Sequence, residues 1–175
     1  MSISLLGQKK LYSNSIDLTP FIGIWEYRTE NEVFKITLKE GKVDDSFIQH
    51  DCLIGGYYYQ KNGNVVAQHS DPAVKTYSYS SDEIKIMAYN SSSFIDVSKL
   101  DPSHLHLLFI DDQKEGKNSS LESSITLLSP TTIKWTLKEE EQIYITDKQG
   151  SYKDGFKPKP EGFSVPTNVV LTKVE

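Results

Sequence analysis

Phe21-Ile22-Gly23-Ile24-Trp25 is the stretch of sequence that decides the fold. A glycine stands two residues before a tryptophan, and a long series of short alternating strands follows it. Many small up-and-down β-barrels begin in this way, because the tryptophan closes one end of the barrel and the glycine lets the first strand bend without a Cβ in the way. We therefore expect Gly23 and Trp25 to be structural residues at the start of a barrel.

The apolar residues that follow recur with a period of two, which is typical of strands that bury one face. Residues 34–39 and 132–138 show this alternation most clearly. The other strand candidates are 21–28, 51–60, 64–69, 75–80, 84–89, 93–97, 104–110, 122–129, 142–146 and 167–174. No stretch has the period of a convincing amphipathic helix, so the sequence predicts an all-β chain.

Breaker residues separate these strands. Asn62-Gly63 is the strongest signal, since it favours a type I′ hairpin in which both central residues take a positive φ. Glu40-Gly41-Lys42, Asp101-Pro102-Ser103 and Ser129-Pro130-Thr131 are also predicted to interrupt strands. Ten or more short strands with tight connections predict an antiparallel up-and-down β-barrel.

The ends of the chain are predicted to close this barrel. An open sheet of this length would leave two unpaired edges, and closure removes them. We expect the last strand, 167–174, to pair antiparallel with the first, 21–28, with Pro166 just before the last strand, where its missing N–H breaks no ladder bond. The longest predicted loop is 147–166, with Phe163 as one of its apolar anchors.

Length and charge bound the organisation. The 175 residues suit one barrel domain over 16–175, with 1–15 as a flexible N-terminus or the remnant of a signal peptide. The net charge of −5 is dispersed, which argues against nucleic acid and against an anionic membrane surface as partners. No segment has the roughly twenty apolar residues of a membrane span.

Two blocks of the chain, read together, resemble a known family. The first comprises Phe21-x-Gly23-x-Trp25-Glu26-Tyr27, Phe34-x-Ile36-x-Leu38-Lys39 and Asp51-x-Leu53-x-Gly55-x-Tyr57-x-Tyr59-x-Lys61-Asn62-Gly63; the second is Phe163-x-Val165-Pro166-Thr167-Asn168-x-Val170-Leu171-Thr172-Lys173. The chain is similar to a family of uncharacterised bacterial proteins, typically secreted and lipocalin-like. The resemblance implies a β-barrel in a secreted or periplasmic setting, and it implies no activity.

Tyrosines are the most promising candidates for ligand binding. Tyr57 and Tyr59 share one face of a strand, and Tyr77 and Tyr89 lie on other predicted strands. Tyrosines in a barrel can line a ligand cavity, because each offers an apolar ring and a polar tip. The alternative is aromatic packing between neighbouring strands of the barrel wall.

Other reactive residues give weaker signals. His104 and His106 share one face of a strand and could form a metal pair, but solvent-facing histidines explain the pattern as well. Cys52 is the only cysteine, so no internal disulfide can form, and its apolar surroundings indicate a packing residue. We assign no catalytic residue, metal ligand or cofactor.

The leading hypothesis is a non-enzymatic, extracytoplasmic, lipocalin-like barrel that binds a small apolar ligand. The first alternative is a protein-interaction module, such as an inhibitor or an immunity-type protein, that acts through its loops. The second is a hydrolase with carboxylates at the barrel mouth, for which the candidates are Glu26, Glu30, Glu32, Asp44, Asp45, Glu83, Asp111 and Asp112. A void lined by Tyr57 and Tyr59, an exposed apolar patch, or two facing carboxylates with raised pKa would distinguish the three.

Overall fold

A computed structural model of the protein describes residues 11–13, 16–44, 48–73, 76–77, 83–90, 100–139 and 160–174. The predicted strands 93–97 and 142–146 and loop residues 147–159 lie outside these ranges. The strands are β1 (Leu11–Ser13), β2 (Gly23–Arg28), β3 (Glu32–Asp44), β4 (Ile48–Lys61), β5 (Asn64–His69), β6 (Thr76–Tyr77), β7 (Ile86–Tyr89), β8 (His104–Asp111), β9 (Lys117–Asn118), β10 (Ser124–Ser129), β11 (Thr132–Thr136) and β12 (Asn168–Lys173).

Eight of these strands form a closed antiparallel up-and-down barrel. The order around the barrel is β2, β3, β4, β7, β8, β10, β11, β12 and back to β2. The closing pair places Thr172 opposite Glu26 and Lys173 opposite Trp25. This confirms the all-β barrel and the pairing of the last strand with the first.

The first barrel strand begins two residues later than the sequence suggested. Phe21 belongs to a 3-10 turn, Thr19–Phe21, whose second residue is Pro20, and proline suits the first turn of a helix. Gly23 then starts β2 with a φ of 138°, a value that side chains with a Cβ rarely adopt. Trp25 is fully buried, and its indole N–H donates to the carbonyl oxygen of Phe21 at 2.8 Å.

The prediction that Glu40-Gly41-Lys42 interrupts a strand is wrong. β3 continues through Gly41, which lies opposite Cys52 in β4. A Cβ on Gly41 would approach the side chain of Ile54 to 2.9 Å, so the glycine permits close packing on the strand surface and makes no turn. The sequence also placed the start of a strand at Asp51. This residue lies inside β4 instead, because β3 and β4 pair continuously on both sides of it.

The hairpin between β4 and β5 has the expected geometry. Asn62 and Gly63 have φ values of 51° and 78°, and Lys61 pairs with Asn64 across the two-residue loop. Both positive φ values are what a type I′ turn requires. The turn thus sets the register of the first two pairs, and an irregularity between Tyr59 and Gln60 then shifts the register of the rest of β5 by one residue.

β4 has β1, β7 and β5 as successive partners on one side, and the change from β7 to β5 creates the candidate site described below. Residues Tyr57–Lys61 pair with β5, whereas Leu53–Gly55 pair with β7. Along the chain between these two partners, the short strand β6 pairs in parallel with the far end of β3, where Lys42 lies opposite Thr76. Among the described residues, no helix has the length and apolar character needed to cross a bilayer.

The main core fills the inside of the barrel. Its largest fully buried side chains are aromatic: Trp25, Trp135, Phe21, Phe34 and Phe109. A second, smaller apolar cluster lies on the outward-facing side of β3, β4 and β7, and it consists of Val43, Cys52, Ile54, Ile84 and Met87. The protein thus buries apolar surface on both faces of part of its sheet.

Candidate functional site

Aromatic side chains occupy the middle of the barrel. The Phe34 and Trp135 rings meet edge to face with 5.5 Å between their centroids, and the Phe109 and Trp135 rings do so at 5.8 Å. The indole N–H of Trp135 donates to the carbonyl oxygen of Pro166 at 3.0 Å. The polar atoms of both tryptophans are thus bonded to backbone, and this region is packed as a core.

The four candidate tyrosines do not come together. Tyr59 is buried beside Phe34, and its hydroxyl donates to Glu32 Oε1 at 3.2 Å. Tyr89 faces outward and is half-buried, with ring contacts to two histidines. Tyr77 lies in β6, and its side chain falls outside the described part of the structure. Tyr57 lines an open cavity that Tyr59 and Tyr89 do not line, so these three tyrosines do not share that cavity.

That cavity is a cleft in the barrel wall where β5 ends. It has a volume of about 470 Å³ and is lined by Tyr57, Tyr58, Gln68, His69 and Ser70. We call it the wall cleft. It lies where β4 passes from pairing with β5 to pairing with β7, so a break in the strand ladder opens the wall at this point.

Tyr57 is the buried wall of the cleft. Its side chain belongs to the barrel core and is only 4% exposed, and its ring packs edge to face on Phe109 at 5.2 Å. Among the described residues, no hydrogen-bond partner of the Tyr57 hydroxyl is found, and no fully buried side-chain polar atom lacks one. The hydroxyl is therefore not fully buried, and the cleft that Tyr57 lines is the open space in which solvent or a ligand can bond to it.

The hydroxyl of Tyr57 keeps its proton. Burial raises the pKa of this phenol well above its ordinary value of 10.0, and the nearby carboxylates of Asp111 and Asp112 raise it further. Both effects disfavour the phenolate. Tyr57 therefore presents a neutral hydroxyl that can donate one hydrogen bond and accept others.

His69 spans the break between β5 and β7. Its ring is stacked on the Tyr57 ring with centroids 6.3 Å apart, and its Nε2 lies 3.2 Å from the carbonyl oxygen of Glu83. A carbonyl oxygen only accepts, so Nε2 carries the proton in this bond and Nδ1 of the neutral ring is an acceptor. Tyr58, on the outer side of the cleft, has its hydroxyl bonded to Gln60 Oε1 at 2.9 Å.

Gly56 allows the chain to pass close to β4 beside the cleft. A Cβ on Gly56 would lie 2.6 Å from the carbonyl oxygen of His69 and 2.8 Å from the backbone nitrogen of Asp71. Lys39 forms an ion pair with Asp71 at 3.5 Å and holds the same segment from the neighbouring strand. The position of residues 69–71, and hence the shape of the cleft, depends on this glycine.

A cluster of polar groups bonded to one another contrasts with the open wall cleft. We call it the end clamp, and it consists of Asp111, Lys117, Glu139 and the backbone of residues 160–164. Asp111 is fully buried and accepts hydrogen bonds from the backbone N–H and hydroxyl of Ser164. Lys117, only 2% exposed, donates to Glu139 and to the carbonyl oxygen of Pro160. Lys117 lowers the pKa of Glu139 below its ordinary 4.5. The clamp fixes this segment across the barrel end.

His104 and His106, which the sequence suggested could form a metal pair, lie in β8 with their side chains on the outer face of the barrel. The rings of His104 and His106 are perpendicular with centroids 5.6 Å apart, while Leu105 between them is fully buried. His104 Nδ1 lies 3.3 Å from the Thr126 hydroxyl. Within the described ranges, no group of three or more histidine, cysteine, aspartate or glutamate residues is placed to hold a metal ion.

The carboxylates give no support to the hydrolase hypothesis. Each described carboxylate whose pKa departs clearly from its ordinary value has it lowered, as hydrogen bonds and lysine or arginine partners do for Glu26 and Glu32. A glycosidase acid needs the opposite shift. Cys52 is fully buried, and burial together with the Asp51 charge raises the pKa of its thiol to about 12, so it packs as expected and is no nucleophile.

Sequence reasoning missed most of the wall cleft. Gln68, His69 and Ser70 line the cleft, and none of them belongs to a recognisable motif. The one available signal was the pair Gly55-Gly56 inside a strand of otherwise large residues. Adjacent glycines in a strand mark a close backbone approach or a sharp bend, and here they mark the point where the wall opens.

The geometry thus defines a closed eight-stranded barrel with a packed interior, a clamped end and, in the described part of the chain, an open cleft in its wall. Comparison with known families agrees with a protein of undefined activity. The chain belongs to a family of unknown function, DUF6705, whose model matches residues 1–174. No curated protein and no solved structure matches the chain.

Proposed function

We propose that the protein is a lipocalin-like, non-enzymatic barrel that binds a small molecule, and that the binding site is the wall cleft instead of the barrel interior. The observation that carries this proposal is the Tyr57 hydroxyl. It is the polar tip of a side chain that is 96% removed from solvent, and it reaches the cleft with no partner among the described residues. Polar groups on buried side chains are normally bonded within the protein, so this one is available to a ligand.

The size and lining of the cleft support the same proposal. A volume of about 470 Å³ lies within the range of roughly 300–1,000 Å³ that is usual for small-molecule sites. The lining combines aromatic rings with hydroxyl, amide and imidazole groups. A ligand with both apolar and polar surface fits this lining better than the wholly apolar ligand that the sequence suggested.

The test is ligand screening by saturation-transfer NMR on the full chain. A library of fragments at millimolar concentration is screened against the protein and against Ser70→Trp, in which the indole fills the cleft from an exposed position. Leu121→Trp is the matched control, since Leu121 is 83% exposed and the new indole lies outside the cleft. We expect hits on the protein and on Leu121→Trp that disappear with Ser70→Trp.

Two outcomes would overturn the proposal. Hits that survive Ser70→Trp would place the binding site elsewhere on the molecule. A library that gives no hits on the unmodified chain would show that the cleft does not bind small molecules.

A second candidate function, binding of a partner protein, is favoured by the outer edge of β5. Among the described residues, β5 pairs with β4 alone, and Val65 and Val66 near its start are 52% and 41% exposed. Exposed strand edges with apolar side chains are templates for an added strand. Native mass spectrometry of protein purified from its host should then show a bound protein that is lost when both valines are replaced by lysine.

We also propose an extracytoplasmic location. Its support is the short apolar segment before Lys9, which resembles the end of a secretory signal, together with the family resemblance described above. Fractionation of host cells with an antibody against the barrel tests it. Protein recovered only in the cytoplasmic fraction would contradict this location.

A further inference from the structure

The cleft is lined by hydroxyl, amide and imidazole groups, and no carboxylate, lysine or arginine is among its lining residues. The hydroxyls of Tyr57 and Ser70 and the amide of Gln68 can each donate and accept hydrogen bonds, and Nδ1 of His69 accepts. A ligand hydroxyl can also do both. A molecule that carries several hydroxyl groups can therefore bond to each of these side chains in more than one orientation.

The charged groups around the cleft already have partners. Asp112 forms an ion pair with Lys85 at 2.7 Å, and Asp71 forms one with Lys39 at 3.5 Å. Asp111 accepts bonds from residues of the end clamp. A cationic ligand would find no carboxylate free to pair with among these three, and an anionic ligand would meet the same negative field that helps to raise the pKa of Tyr57.

The ring of Tyr57 has little surface left for a flat ligand. One face of the Tyr57 ring is stacked on His69, and the ring also contacts Phe109 edge to face at 5.2 Å. A nucleobase or another planar heterocycle would need a free ring face to stack on. Stacking on Tyr57 is therefore disfavoured, and the half-buried ring of Tyr58 is the other tyrosine ring in the lining.

From these three observations, and resting on the function proposed above, we infer that the wall cleft takes a neutral, polyhydroxylated ring molecule, that is, a saccharide, and that the Tyr57 hydroxyl is a specificity-determining group. A saccharide combines many hydroxyls with a small apolar ring face and carries no charge. The chemistry of the cleft lining matches those properties and disfavours charged and flat molecules.

The test is a titration of the full chain, followed by NMR, with a defined panel of probes. The neutral probes are methyl glucoside, maltose and N-acetylglucosamine. Glucosamine and glucuronate place a positive or a negative charge on the same ring, and adenosine supplies a flat base. We expect at least one neutral saccharide to bind, the two charged relatives to bind at least fivefold more weakly, and adenosine not to bind in the cleft.

A pair of variants tests the role of the hydroxyl. Tyr57→Phe removes the hydroxyl that reaches the cleft and should weaken saccharide binding about tenfold, in line with the loss of one hydrogen bond from a desolvated site. Tyr59→Phe is the matched control, because Tyr59 does not line the cleft and its hydroxyl already donates to Glu32. Its affinity should stay within twofold of the unmodified protein.

The outcomes separate this inference from the proposed function. If fragments bind in a manner that Ser70→Trp abolishes, but charged rings or adenosine bind more tightly than every neutral saccharide, the saccharide inference is wrong and small-molecule binding at the cleft stands. Equal losses of affinity from Tyr57→Phe and Tyr59→Phe would overturn the role of the Tyr57 hydroxyl. Absence of all binding, fragments included, would overturn both.

Discussion

The barrel interior and the wall cleft use aromatic residues in different ways. In the interior, the indole N–H groups of Trp25 and Trp135 donate to backbone carbonyl oxygens, and the Tyr59 hydroxyl donates to Glu32. In the cleft, the ring of Tyr57 is equally buried, yet its hydroxyl reaches open space. Burial alone therefore does not distinguish a packing residue from a binding residue; the partner of the polar atom does.

This difference separates stability from function. Where both the ring and its polar tip contact protein, the whole side chain contributes to folding. Where only the ring does, the polar tip is free for recognition. Changes to the interior should unfold the protein, whereas changes to the Tyr57 hydroxyl should leave the fold intact.

The largest effect is expected from removing the last strand. A chain that ends at Pro166 loses β12, which pairs with both β11 and β2 and carries the fully buried Leu171. The barrel then opens and exposes two strand edges. We expect insoluble or dye-binding protein in expression and fluorescence assays, while Val170→Thr, a change at an exposed position of the same strand, stays soluble. A truncated chain that melts cooperatively would contradict closure as the source of stability.

The next largest effect is expected in the interior. Trp25→Ala should lower the free energy of unfolding by about 3–5 kcal/mol, the usual range for removal of a large core aromatic. Urea denaturation measures this loss, and Trp25→Phe should cost less because it keeps a ring in the cavity. A loss below about 1 kcal/mol for Trp25→Ala would mean that the interior is not packed around this residue.

The fold could be predicted from local patterns, because the signals are local. Alternation of apolar residues identifies the strands, and positive φ at Asn62 and Gly63 follows from residue type. The error at Gly41 has a physical reason: a glycine that relieves packing against Ile54 and a glycine that makes a turn look the same in sequence. The start of β2 was misplaced because one hydrogen bond, from the Trp25 indole to Phe21, fixes it.

The candidate site could be predicted only in part, because it depends on contacts between distant segments. Tyr57 was identified from its place among the strand tyrosines. The sequence could not show that the Tyr59 hydroxyl donates a hydrogen bond to Glu32, or that the Tyr57 hydroxyl has no such partner among the described residues. The cleft itself results from the change of partner along β4. Likewise, nothing in the local sequence around Lys117 predicts that this lysine is buried against Glu139, 22 residues further along the chain.

A substitution at Gly56 tests whether the wall cleft and the barrel interior respond independently to a change in packing. Gly56→Ala places a Cβ 2.6 Å from the His69 carbonyl oxygen, so the backbone of residues 69–71 must move. We expect a loss of about 1–3 kcal/mol, as is usual for overpacking, and NMR shift changes concentrated in the wall cleft. Val65→Ala, on the exposed part of the same hairpin, should cost less than about 0.5 kcal/mol. Equal shift changes in the interior would show that the cleft and the interior are not independent.

The end clamp should give a smaller, pH-dependent effect. The pKa of Glu139 is lowered by Lys117, so the ion pair stabilises the folded state at pH above the ordinary 4.5 and loses that contribution as the pH falls through the lowered value. Glu139→Gln should therefore cost about 1 kcal/mol or less at pH 7, given that Glu139 is 47% exposed, and nothing near pH 3. Urea denaturation at both pH values measures the difference. A gap that persists unchanged at pH 3 would exclude the ion pair as its cause.

The most direct measurement compares two phenylalanine substitutions by urea denaturation. Tyr59→Phe removes a hydroxyl that donates to Glu32 and should lower the free energy of unfolding by about 1 kcal/mol. Tyr57→Phe removes a hydroxyl with no partner among the described residues and should change it by less than about 0.5 kcal/mol. A loss for Tyr57→Phe as large as that for Tyr59→Phe would show that this hydroxyl stabilises the fold, and it would contradict the claim that Tyr57 is kept for a ligand.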